Sequence, residues 1–176
     1  KQFTAAESQK TCFYDSLPRI SPTRKFFNNP ALQTLGVGEK MLLGELEYHK
    51  GNHEVALEHL REAVQRSDSL HYSEPWPWMH PPRHALGALL MEQGQHAEAE
   101  KVYREDLGLS DTVLRCAQHP NNVWALHGLV ECLTNRGETE ESGNFTTLLG
   151  SAIAKADFTV TSSCCCREKV RDPAVL

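Results

Sequence analysis

Residues Arg83–Tyr103, RHALGALLMEQGQHAEAEKVY, decide the fold. Their apolar spacing reads as two short antiparallel helices. In the first, Leu86, Gly87 and Leu90 share a face. Gly94 ends it, where the chain needs a residue tolerant of positive φ. In the second, Ala99 and Tyr103 are four apart and lie on one side. Small residues at Gly87 and Ala99 let the helices approach closely, and the large neighbours fill the space beside them.

Working outward, the same offsets recur upstream in Leu43, Gly44, Gly51, Ala56, Leu60 and Ala63. Gly51, Gly94 and Gly137 stand 43 residues apart in succession. A third, weaker copy holds Leu129, Leu133 and Gly137. There Val130 takes the place of Gly44 and Gly87, and Ser142 takes that of Ala56 and Ala99. Pro120-Asn121-Asn122 stands just before its first helix.

This order of Leu-Gly, Gly, Ala and a large residue resembles the tetratricopeptide repeat, whose period is about 34. Each interval here is longer by about nine residues. The extra residues fall within Ser67–Pro82, which contains EPWPWMHPP, and Gly108–His119, which contains SDTVLRCAQH. The resemblance covers about Gly38–Ala156. It implies an all-α fold, an α–α superhelix of about three helix-turn-helix repeats with two edge insertions and a non-helical C-terminal tail.

Three segments follow. Residues 1–30 are expected to form an N-terminal helix to about Ser16 and then a linker rich in proline (Pro18, Pro22, Pro30). Residues 31–157 are the repeat domain, its first helix opening at Pro30 and running to about Lys50, with an interruption expected at Gly36 and Gly38. Residues 158–176 are a Cys-rich tail. Its opening FTVTSS is β-branched and disfavours helix, and a charged run REKVRD follows the cysteines.

Eighteen basic against 23 acidic residues give a net charge of −5. That is no electrostatic footprint for nucleic acid or a membrane surface. No apolar run approaches the roughly 18 residues of a membrane span. No signal peptide is visible, and a chain beginning at Lys1 is expected to be processed or to be the end of a longer one. The six cysteines follow no disulfide spacing, so a reducing, cytoplasmic setting is expected. Asn144-Phe145-Thr146 matches a glycosylation acceptor but falls in a predicted helix and is taken as chance. No nucleophile elbow, phosphate loop, dinucleotide fingerprint or zinc-protease pattern occurs.

The resemblance further implies that the first helices line a concave groove. Its positions here include Glu45, Tyr48 and His49, then His84, Met91 and Glu92, then Trp124, His127 and Glu131. Trp76 and Trp78, in a loop bracketed by prolines, could wall one end of that groove or simply plug the helix edge. Members of the family mostly serve as scaffolds, so the leading expectation is a binding module for a peptide, partner chain or small ligand. The alternative is a metal-dependent enzyme or metal-binding protein. His84 and His127 occupy equivalent positions in adjacent repeats, Glu131 lies one turn beyond His127, and Glu45 comes from the first helix on the other side. Two imidazoles and carboxylates suit Zn, Fe or Mn. The same residues serve equally as polar contacts for a peptide. A second metal set is Cys116, His119, Cys164 and Cys166, whose blander reading is thiols in a loop and a tail.

Overall fold

The computed structural model describes residues 2–167, and the chain folds as two compact units, Lys1–Pro82 and Arg83 onward. The fold is all-α, built from two-helix hairpins, with a single short β-ladder among the described residues. No helix among them is long and apolar enough to cross a membrane.

In the first unit, α1 (Phe3–Ser16) is followed by a 3₁₀ turn, Leu17–Arg19. Strands β1 (Lys25–Phe26) and β2 (Asn29–Pro30) then pair antiparallel. Helix α2 (Ala31–Lys50) and α3 (His53–Asp68) form the first hairpin. The expected interruption at Gly36 and Gly38 does not occur. A helical glycine costs only about 1 kcal/mol, and both glycines yield space to side chains. A Cβ on Gly36 would stand 2.7 Å from the Arg66 guanidinium, and one on Gly38 2.6 Å from the Trp78 ring. Gly44 likewise yields to Leu60, and Val37, Leu46, Ala56, Leu57, Leu60 and Ala63 complete a buried core. The buried Asn29 amide fixes the loop after α3. It donates to the His71 carbonyl at 2.8 Å and accepts from the His71 N–H at 2.7 Å.

The second unit contains α4 (Pro82–Glu92, its first residue closing the other unit), α5 (His96–Asp106), α6 (Val123–Arg136) and α7 (Thr139–Ile153). Gly94 ends α4 with φ +70, as Gly51 and Gly137 end α2 and α6 with φ +94 and +78. Each of the three ends also closes by the same long bond. Asn52, Gln95 and Glu138 donate backward to Glu47, Leu90 and Leu133, satisfying a carbonyl that the helix end would otherwise orphan. Asn122 opens α6, its side chain accepting from the N–H groups of Trp124 and Ala125. After α7 the chain runs irregularly through FTVTSS, as β-branching predicts, and ends in a 3₁₀ turn at Cys165–Arg167. The charged run from Glu168 on, and Pro173–Leu176, lie outside the described residues.

Candidate functional site

Tyr103 is the centre of the second unit. It projects from α5 and is fully buried, with its ring against Gly87 of α4 and Gly128 of α6. A Cβ on Gly87 would stand 2.6 Å from the ring carbon that bears the hydroxyl, and one on Gly128 2.2 Å from the same carbon. Two glycines therefore open the passage for the ring between α4 and α6. Its hydroxyl emerges to donate to the Ser163 hydroxyl at 2.6 Å. Burial pushes the phenol pKa well above its usual range, and the Ser163 contact only partly opposes this, so Tyr103 remains a donor.

Ser163 belongs to the tail, and the tail is docked. Phe158 stacks on Trp124 at the start of α6, with ring centroids 5.6 Å apart. Val160, Ser162, Ser163 and Cys164 are buried. Arg167 donates to both carboxylate oxygens of Glu131, at 2.8 and 2.9 Å, and stands 3.8 Å from a carboxylate oxygen of Glu92 on α4. Trp124, Gly128 and Glu131 are spaced four and three apart, so they form one stripe of α6. The tail follows that stripe from the first turn of the helix towards its last. Beside Trp124 and Phe158 an open cleft of about 510 Å³ has a mostly apolar lining that also includes Lys155, Ser151 and Asn121.

A polar cluster ties α4 to the end of α5. Asp106 is 1% exposed and His84 2%. His84 Nε2 is 2.9 Å from one carboxylate oxygen of Asp106, and His119 Nδ1 is 2.9 Å from the other. Burial alone would raise the Asp106 pKa, but the hydrogen bonds from His119 and His84 outweigh it and hold the carboxyl down at about 2. The His119 N–H also donates to the Asp106 carbonyl at 2.6 Å. Asp106 thus pins the end of the long Gly108–His119 insertion to the repeat.

The residues proposed from sequence divide accordingly. Trp124 and Glu131 lie on the stripe under the tail. His127 is half-buried on the same helix, and its Nδ1 has no hydrogen-bond partner among the described residues. Burial lowers its pKa, Glu131 raises it and Arg167 lowers it again, and the net shift is downward. Met91 is buried, its sulfur meeting the Cys132 thiol and His96. Burial pushes the Cys132 thiol up to about 12, as expected for an inert core cysteine. His84 is turned to Asp106 rather than open to a groove. In the first unit, Glu45 is near His49, with 3.9 Å between carboxylate and ring nitrogen, and Tyr48 is buried with its ring near His53. Trp78 donates its indole N–H to Met41 Sδ at 3.0 Å, and Trp76 is exposed.

Within the second unit, neither His84, His127 and Glu131 nor any three of Cys116, His119, Cys164 and Cys166 come close enough together to hold one ion. His84 is held by Asp106 and Glu131 by Arg167, and they do not close on one point with His127. Cys116 is exposed in the 3₁₀ turn Arg115–Ala117, His119 is bonded to Asp106, Cys164 is buried, and Cys166 donates its backbone N–H to Cys164 Sγ.

Residues 83–120 match the family model described as tetratricopeptide repeat. This segment is similar to a tetratricopeptide repeat. No characterised protein matches the chain. The matched segment contains α4, α5, the Asp106 cluster and the insertion that His119 closes. It contributes Tyr103 and Gly87 to the docking face, and α6 supplies the rest. Sequence reasoning missed Asp106, Gly128, Phe158, Ser163 and Arg167. Two of these left a signal. Asp106 stands 43 residues after Ala63, so an acid occupies the register of a core alanine. Gly128 is a glycine in mid-helix, where only a close approach justifies its cost.

Proposed function

We propose that the protein is a binding module of the scaffold kind, in which the α4–α6 face of the second unit holds a peptide segment. The observation that carries this reading is the tail itself. An irregular run of chain that ends in a 3₁₀ turn is held on that face at three separated points: an aromatic stack at Trp124, a hydroxyl contact at Tyr103 and a guanidinium at Glu131. Family resemblance adds a general preference for protein partners. Trp124, His127 and Glu131 are the residues proposed from sequence that serve this role. A reducing, cytoplasmic setting completes the reading, in keeping with cysteines that follow no disulfide spacing.

The test is a nuclear magnetic resonance titration of the full chain with its own tail weakened by Phe158→Ala and Arg167→Ala. The added ligand is a synthetic 157–167 peptide with serine in place of cysteine. Amide shifts should concentrate at Gly87, Trp124, Gly128 and Glu131 and spare α2 and α3. No shifts, or shifts confined to α2 and α3, would contradict it.

A further inference from the structure

Arg167 meets two carboxylates from two helices. Its planar guanidinium makes a two-pronged contact with Glu131, a geometry that an ammonium cannot reproduce. Glu92 adds a second carboxylate from the neighbouring helix. Four residues earlier in the tail, Ser163 meets the Tyr103 hydroxyl, which reaches this face only because Gly87 and Gly128 carry no side chain. Ser163 is fully buried, so a bulky residue has no room there. These features define a subsite with two requirements: a small residue with a hydroxyl, and an arginine four residues after it.

We infer that Glu131, Glu92 and the Tyr103 hydroxyl form an arginine-recognition subsite for a partner segment of the pattern Ser-x-x-x-Arg that turns as the tail does, and that Ser163 and Arg167 are its resident occupants. This rests on the reading of the α4–α6 face as a peptide-binding face and specifies its ligand. The tail then acts as a built-in competitor. Tethered to the end of α7, it is present at an effective concentration on the order of millimolar. A partner segment must match the subsite well enough to displace it. The acidic pair selects against acidic segments, since like charges brought together without solvent repel.

The experiment measures fluorescence anisotropy with a labelled 157–167 peptide, serine replacing cysteine, and the full chain carrying Arg167→Ala. That variant should bind the peptide at least tenfold more tightly than the unaltered chain, whose tail competes. Lysine in place of the peptide's arginine should weaken binding at least tenfold, and so should Glu131→Gln in the protein. Because Glu131→Gln could disturb folding, a charge exchange supplies the second arm. Glu131→Arg should restore binding to a peptide ending in glutamate while losing the arginine peptide. Equal affinity for the arginine and lysine peptides, or no effect of Glu131→Gln, would overturn the subsite while leaving the peptide-binding face standing. Absence of any peptide binding to the Arg167→Ala chain, with its helical circular dichroism intact, would remove that face and the subsite together.

Discussion

The hairpins α2–α3 and α4–α5 are built to one register 43 residues apart, yet their interiors differ in chemistry. Gly44 receives Leu60, whereas the equivalent Gly87 receives Tyr103. Where the first hairpin has Ala63 and Met41, the second has Asp106 and His84. In the first, Met41 accepts an indole N–H from Trp78 and the small Ala63 is simply buried. In the second, a buried carboxylate binds two imidazoles, and a phenol passes between two helices to meet the tail. The same backbone template thus supports a sealed apolar hairpin in one unit and, in the other, a hairpin wired through its core to a docked segment. The difference lies in a few substitutions at fixed register rather than in the fold.

Breaking the polar cluster should have the largest effect on this contrast. Asp106→Ala, which installs the residue found at Ala63, leaves two ring N–H groups without their acceptor. It should cost about 3 kcal/mol in chemical denaturation. Adding His84→Met, the residue found at Met41, should return part of that loss. The reciprocal Ala63→Asp, with no imidazole facing it, should destabilise at least as much because burial would leave the charge unpaired.

The pH dependence is the next largest. The folded Asp106 carboxyl is held at about 2, below its ordinary 3.8. Its contribution is therefore fully present above about pH 4 and is lost as pH falls through 3.8 towards 2. Holding a carboxyl that far below its ordinary value stabilises the fold by about 2 kcal/mol. Stability measured between pH 5 and pH 2 should fall less steeply in Asp106→Ala than in the unaltered chain. Equal slopes would show that the cluster does not hold the carboxyl down.

Tyr103→Phe should have the smallest effect on overall stability, about 1 kcal/mol, the net worth of one hydrogen bond. It keeps the ring in its glycine passage and removes only the hydroxyl contact with Ser163. Tyr103→Leu, the pairing found at Gly44 and Leu60, should leave the helices intact but detach the middle of the tail.

The same contrast explains what could be read in the sequence. The helices were legible because their signals are local: glycines in the left-handed region at three equivalent ends, small residues at helix contacts, and the Asn122 cap. That Trp124 and Glu131 share one side of α6 is readable from their spacing. The role of His84 was not, because its partner Asp106 lies 22 residues away and His119 returns from a long insertion. The tail carries no periodicity at all. Phe158, Ser163 and Arg167 acquire meaning only from Trp124, Tyr103 and Glu131, which folding brings to them. The repeat register points to Val130 rather than Gly128, whereas the Tyr103 ring needs space one half-turn earlier.

Amide hydrogen exchange of residues 159–164 in the full chain tests the docked tail most directly. These amides should be protected in the unaltered chain and should exchange at least tenfold faster after Phe158→Ala with Arg167→Ala, while α2 and α3 remain unchanged. Exchange at the rate of an unstructured peptide in the unaltered chain would contradict the account.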